Sequence, residues 1–461
     1  MVGTRTAPYQ LTALGANGAY TAHNRLAVRD VAGGEVAALS TVPALFVNRT
    51  MTALHNAATL PPDERAGLIT KAATLFAEAS LDGQTPEEYE YAVSRVGGIP
   101  ISIVRATTTA IAERLRTAHP TVQCARPASS VSDWRHPSTR TGRAVWTRAG
   151  NVFAVHAAGN HPGTHSIWPE ALMMGYRVAV RPSRREPFTP HRLITALRTA
   201  GFADDHVVLL PTEHALADSI LRAADLGMVY GGADVVARHA ADRTVRLQGP
   251  GRSKILLTRD VDWREHLDTI VDSVSRHGGT GCVNTTAVFV EGDPGPLCEA
   301  LAERLAALPS LPPEHDAAVL PVQPAATARA LGAYLARQAH GAKPWLGAGD
   351  VVDELGDGSA VLRPAVHQLE RVDAAQAGVE LPFPCVWVAP WSPEAGVAPL
   401  RNSLVLTAIT HDEALVDRLL DDPTISNLYL GDQPTYRMEA GLPHDGFLAE
   451  FLMRSKAVIR D

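Results

Sequence analysis

Residues 151–187 read NVFAVHAAGNHPGTHSIWPEALMMGYRVAVRPSRREP, and this stretch decides the fold. An apolar run at 151–157 is followed by a polar loop, a helix-like segment, a second apolar run at 177–181 and another loop. Pro162 and Pro190 stand where first helical turns would begin, and Thr189 is placed to cap the second helix. The alternation continues outward through HVVLL at 206–210 and GMVY at 227–230. Strands that alternate with helices predict a parallel sheet covered on both faces, the doubly wound plan that binds nucleotides at the carboxyl ends of its strands. No G-x-G-x-x-G follows the first strand, so any dinucleotide site must be built differently from the ordinary fingerprint.

A second block starts near Gly251. It contains SKILLTR (253–259), a helix-like stretch at 263–276, TTAVFV (285–290), a helix carrying Leu297, Leu301, Leu305 and Leu308, and strands at 385–389 and 403–409. This pattern predicts a second α/β domain. Upstream, PDERAGLITKAATLFAEA (62–79) begins with Pro and acids and places Leu68, Ile69, Ala72, Leu75, Phe76 and Ala79 on one helical face, with more helix to about residue 117. Residues 126–147 lack helical period and read as an extended arm or hairpin, and 426–461 return to irregular and β-like sequence.

The 461 residues carry 42 Lys+Arg against 49 Asp+Glu, a net charge of −7, and 46% are hydrophobic. The length suits two or three packed domains, and the mild acidity gives no electrostatic footprint for nucleic acid or an anionic membrane. No stretch reaches the ~18 apolar residues of a membrane helix, and the start has no signal-peptide pattern. Four cysteines in so long a chain point to a reducing, cytoplasmic setting.

Those cysteines are unequal. Cys282 lies in GGTGCVNTTAVFVEG (278–292), a glycine-rich turn running into a strand, where backbone amides can approach a thiolate and a developing oxyanion. Cys124, Cys298 and Cys385 lack that setting and read as small buried hydrophobes. Asn160, in the loop after the first strand, is placed to donate to an oxyanion, and Arg181 and Arg184 follow the second strand, where cations meet phosphates or ribose.

This combination resembles the aldehyde dehydrogenase superfamily over nearly the whole chain. Asn160 matches its oxyanion asparagine and Cys282 its nucleophile. Arg181-Pro182-Ser183-Arg184 matches the Lys-Pro-Ser-Glu segment that holds the adenosine ribose. VYGGADVVARH (229–239) is similar to the turn and helix beside the pyrophosphate, assigning Gly231, Gly232 and Val235 to the cofactor. ELPFPCVWV (380–388) matches the segment whose glutamate, here Glu380, holds the nicotinamide ribose, with Phe383 beside it. The resemblance implies two doubly wound α/β domains plus a β oligomerisation arm. Residues 1–125 and 148–250 form the dinucleotide-binding domain, 251–425 the catalytic cysteine domain, and 126–147 with 426–461 the arm, in a homodimer or homotetramer.

Two departures sharpen the expectation. Hydrolytic members carry a general-base glutamate 34 residues before the cysteine, which here is Gln248 in RLQGPGRSKILL (246–257), and no acidic residue lies between Asp242 and Asp260. An amide cannot take a proton from water. Gly249-Pro250-Gly251 resembles instead the turn of the acylating branch, in which a thiol such as coenzyme A or an acyl-carrier protein exchanges acyl groups with the cysteine. Arg184 replaces a glutamate that would repel a 2′-phosphate, which favours NADP over NAD; an arginine pointing to solvent would carry no such preference.

Three readings follow from the resemblance: acyl-thioester reduction to aldehyde, or its reverse, through acyl-Cys282; aldehyde oxidation to a carboxylic acid; and a paralogue of reduced activity that binds nucleotide or a partner protein. His161 reads as a proton shuttle at the cleft mouth or as a turn histidine, and Trp168 and Tyr176 as substrate contacts or core. His161 and His165 lack a third ligand at metal spacing, so no metal is expected.

Overall fold

The computed structural model describes residues 7–461. Two large sheets organise them. The first has seven strands, and its centre is parallel: Val245–Gln248, Leu226–Tyr230, Val152–His156, Arg177–Arg181 and Val207–Leu209 lie side by side in that order. Ala13–Gly15 and Gly18–Tyr20 extend it antiparallel at one edge. Every residue of Val152–His156 and of Arg177–Arg181 is buried, as strands covered on both faces must be. The buried Arg177 donates from Nε to the Leu54 carbonyl at 3.0 Å, so its charge enters the core with a partner.

The helices that cover this sheet follow from their apolar stripes. Pro62–Glu78 starts on Pro62, has Asp63 and Glu64 in its first turn and buries Ile69, Ala72, Ala73 and Phe76. It packs against Ile101–Arg116 and Phe188–Ala200. The second of these is not capped by Thr189. Thr189 lies inside the helix, and its own amide donates to Glu186 Oε1 at 2.8 Å. Pro162 opens a single 3₁₀ turn, Pro162–Ser166, and the helix proper is the short Pro169–Met173.

The second sheet also has seven strands, in the order Lys343–Leu346, Ala365–Gln368, Cys385–Trp391, Thr285–Glu291, Ser253–Leu257, Ser403–Ile409 and Ile425–Leu430. All neighbours run parallel except the first pair. The helices Leu267–Ser275 and Gly295–Ala306 cover one face through Ile270, Val274, Leu297, Leu301 and Leu305. Cys298 is fully buried in that layer and Cys385 in the sheet, and burial pushes the Cys298 thiol up to about 12. Cys124 departs from the expectation: it ends a short helix and is exposed.

The third sheet departs from a simple hairpin. Ser130–Val131 pairs parallel with Arg143–Arg148, because a 3₁₀ turn at Pro137–Thr141 carries the chain back to the same end, and Met453–Val458 pairs antiparallel on the other side. Ile425–Leu430 belongs to the second sheet, so residues 426–430 are not part of this arm. Among the described residues no helix is long and apolar enough to cross a membrane.

Candidate active site around Cys282

Cys282 sits on the turn between the helix Leu267–Ser275 and the strand Thr285–Glu291, in the middle of the second sheet. The turn is held from three directions. His277, Gly278 and Gly279 all take positive φ, and a Cβ on Gly279 would lie 2.4 Å from the Pro384 nitrogen. Asn284 fastens the turn from within: Oδ1 accepts from the Gly281 amide at 2.9 Å, and Nδ2 donates to the carbonyls of Ser273 and Arg276 at 3.1 and 2.7 Å. From the neighbouring strand, Ser253 Oγ donates to the Cys282 carbonyl at 3.0 Å, and Gly251 approaches so closely that an added Cβ would lie 1.7 Å from that oxygen. The glycine of Gly249-Pro250-Gly251 thus has a steric reason.

The partner of the sulfur is one that sequence reasoning missed. Cys282 Sγ lies 3.4 Å from Nε2 of His444, a residue of the tail 162 positions away. Asn427 Nδ2 donates to the His444 carbonyl and Asp445 Oδ1 faces Nδ1 at 3.7 Å, an ion-pair contact longer than a hydrogen bond. Asp445 is in turn gripped by Arg246 Nη2 at 2.9 Å to Oδ1 and by Gln248 Nε2 at 2.9 Å to Oδ2. Gln248, at the general-base position, therefore serves as a donor to a carboxylate. The tail segment Pro443-His444-Asp445-Gly446 has only turn composition; the one available signal was an adjacent His-Asp pair.

Burial works against a charged His444, but its interactions with Cys282 and the Asp445 carboxylate outweigh it and raise the imidazole to about 10. Burial likewise opposes the Asp445 charge, yet His444 and Arg246 hold its carboxyl well below the ordinary range. His161 is the reverse case: burial, with the neighbouring His277, lowers it to about 3. Its ring lies 5.3 Å from that of His277, and its Nδ1 accepts from the Gly163 amide at 3.1 Å.

Asn160 Nδ2 donates to the Thr280 carbonyl at 3.2 Å, which places the loop of the first sheet against the cysteine turn of the second. Trp168 is fully buried and donates from Nε1 to His165 Nδ1 at 3.1 Å. It is core, because its indole proton is satisfied inside. Tyr176 is also buried, its hydroxyl donating to the Leu452 carbonyl at 2.5 Å. Among the described residues no group of three His, Cys, Asp or Glu is arranged to hold a metal ion.

Most of the residues expected at the cofactor lie beyond the carboxyl ends of the first sheet's strands, while Glu380 and Phe383 precede the strand Cys385–Trp391 of the second sheet. Arg181 is buried, with Nε on Thr212 Oγ1 at 3.0 Å, while Ser183 Oγ accepts from the Arg185 amide at 3.2 Å. Arg184 Nη2 pairs with Glu213 Oε2 at 2.5 Å, and among the described residues its buried Nε lacks a partner. Gly231 donates its amide to the Gln248 carbonyl at 3.1 Å, Gly232 opens the helix Ala233–His239, and Val235 lies in that helix. Glu380 Oε2 accepts from the Arg252 amide at 2.8 Å; burial raises its carboxyl despite the amide donors. Phe383 is fully buried in the core of the second sheet.

Two seven-stranded, largely parallel α/β sheets, with a cysteine on a glycine-rich turn of the second set against a loop of the first, define the doubly wound α/β class. The chain belongs to the aldehyde dehydrogenase family, whose model matches residues 41–450. Among solved structures it is similar to 1-pyrroline-5-carboxylate dehydrogenase of Thermus thermophilus, with a TM-score of 0.82 at 15% identity, covering 98% of this chain and 93% of that one. It is similar also to an NAD-dependent aldehyde dehydrogenase of Sinorhizobium meliloti, with a TM-score of 0.82 at 18% identity over 98% and 95% of the chains. An NADP-dependent enzyme of E. coli gives 0.81 at 15% identity over 97% and 98%. At these identities the likeness is one of fold. An aldehyde-dehydrogenase-like protein of Sinorhizobium fredii, y4uC, is 20% identical over 134 residues, 28% of this chain and only 26% of that relative.

Proposed function

We propose that this oxidoreductase interconverts an acyl thioester and an aldehyde through an acyl-Cys282 intermediate, using NADP(H) or NAD(H). The observation that carries the reading is the position of Gln248: its amide donates to Asp445 at 2.9 Å, and the Asp445 carboxyl is held well below the ordinary range. Neither group is a base able to activate water, and the imidazole of the site, His444, is engaged with the sulfur at 3.4 Å. A thiol acceptor needs less help, because it is already partly ionised.

In the reductive direction Cys282 Sγ forms a bond to the thioester carbonyl carbon and the bond to the carrier sulfur breaks, releasing coenzyme A or a carrier-bound thiol. The Cys282 amide and the second Nδ2 proton of Asn160, whose first is on Thr280, donate to the oxyanion. A nicotinamide cofactor held at the site would supply the hydride that reduces the acyl group. Arg181, Ser183, Arg184, Gly231, Gly232, Val235 and Glu380 would hold the dinucleotide, and the unpartnered Arg184 Nε fits an acceptor there. Glu213 beside Arg184 tempers the NADP preference, because its carboxylate occupies the guanidinium that a 2′-phosphate would take. Glu213→Gln should therefore raise the NADPH-over-NADH ratio of kcat/KM by about tenfold.

The test is NADPH and NADH consumption with acyl-CoA and carrier-bound acyl thioesters of varied chain. Wild type should oxidise the cofactor and release one thiol per turnover, and Cys282→Ala should do neither. Full activity in Cys282→Ala would sink the reading.

A further inference from the structure

The contact between Cys282 and His444 asks for a role that neither the fold nor the resemblance supplies. The two residues come from different elements, the sheet turn and the C-terminal tail, and meet at 3.4 Å. The His444 side chain is only 13% exposed. Behind it the Asp445 carboxylate lies 3.7 Å from the far nitrogen, an ion-pair contact without a hydrogen bond, while Arg246 and Gln248 fix Asp445 and Asn427 fixes the His444 backbone. Gln248 thus stands in a chain that ends on the sulfur.

We propose that His444 is the acid–base partner of Cys282: the imidazole carries the proton of the resting pair and passes it to the thiolate that leaves when Cys282 takes the acyl group. The second half rests on the thioester reading above. Atoms balance as follows. The Sγ–carbon bond forms, the carbon–sulfur bond to the carrier breaks with its electron pair on the carrier sulfur, and the His444 Nε2 proton converts that thiolate to a thiol. A nicotinamide cofactor held at the site would supply hydride to the acyl group; aldehyde then departs, Cys282 regains its thiolate, and His444 recovers a proton from solvent.

The surroundings suit this cycle. The groups facing the pair are Asp445 and Arg246, the ion-paired Arg114 and Glu170 at 2.7 Å across the same small cleft, and Tyr230 from the first sheet. Burial, with the Cys282 and Asp445 charges, keeps the Tyr230 phenol strongly raised and so protonated. The imidazole draws its largest support for charge from Cys282. Acylation removes that support, so the bond change itself loosens the proton that the leaving thiol requires.

The first test needs neither substrate nor cofactor. The rate of iodoacetamide alkylation at Cys282 is followed by peptide mass in the whole protein from pH 5.5 to 9. Wild type should give a rate nearly flat from about pH 6 upward, whereas His444→Gln should give a rate that climbs about tenfold per unit towards the ordinary thiol range near 8.5. Asp445→Asn should move the wild-type profile up by about one unit. Thermal melts check folding, and the two variants act on the pair from separate positions. Identical profiles in wild type and both variants would overturn the pair.

The second test compares leaving groups. His444→Gln should lower turnover of a coenzyme A ester by about a hundredfold but that of a thiophenyl ester, whose thiolate leaves unprotonated, by less than about tenfold. Equal losses would overturn the proton hand-off. A flat wild-type alkylation profile lost in His444→Gln, together with no turnover of any thioester by wild type, would uphold the pair and overturn the thioester reading instead.

Discussion

At the scale of single residues, the amide of Gln248 has a geometric meaning. The amide is a donor that Asp445 uses at 2.9 Å, in a buried position. Gln248→Glu would set two carboxylates against each other and so carries a cost. Like charge and burial would raise the new carboxyl above its unfolded value. The penalty would then be absent at low pH, where the protonated acid still donates to Asp445, and would grow as pH rises through the raised folded value. Urea melts should show a loss of about 1–3 kcal/mol at pH 8 and a smaller one at pH 5; an equal loss at both would contradict the donor role. The vacancy at this position was legible in the sequence, but the residue that lies against the sulfur was not. His444 reaches Cys282 across 162 positions with no periodicity to announce it. Asn284, two residues after Cys282, ties the turn by three hydrogen bonds and carried no signal beyond its proximity.

At the scale of elements, the strands were readable where burial on both faces demands unbroken apolar runs, as in Val152–His156 and Thr285–Glu291. The edge strands Lys343–Leu346 and Val352–Glu354 are short and partly exposed, so no such demand marks them. Helix starts were readable where proline stands first, as at Pro62. At Phe188–Ala200 the signal misled, because the capping group is a glutamate outside the usual set: Glu186 accepts the Thr189 amide. Burial raises Glu186 to about 7 against the amide donors that favour its charge. The folded state therefore holds a proton that the unfolded chain has lost between about pH 4.5 and 7, and this group's contribution to stability falls as pH rises through that window. Glu186→Gln keeps an acceptor oxygen and removes the titration. The variant should match wild type at pH 5 and exceed it by about 1–3 kcal/mol at pH 8 in denaturant melts. A variant less stable than wild type at pH 8 would show that the ionised cap matters more than its burial.

At the scale of the whole molecule, the site is assembled from three regions that fold around different sheets. The first sheet supplies Asn160 through its contact with Thr280, the second supplies Cys282, and the tail that ends in the third sheet supplies His444. Charge and composition exclude classes of partner but leave this convergence invisible, since it depends on where the tail crosses the cleft. In the proposed cycle acyl-Cys282 is resolved by a thiol and not by water. That step is tested most directly by mixing the protein with an excess of aldehyde and NADP+ or NAD+ in a stopped-flow spectrometer, with and without coenzyme A, and recording absorbance of the reduced nicotinamide. The account predicts a burst of about one equivalent per Cys282 followed by near arrest without thiol, and sustained turnover with it. Sustained turnover at the same rate without thiol, yielding one carboxylic acid per reduced nicotinamide, would contradict it.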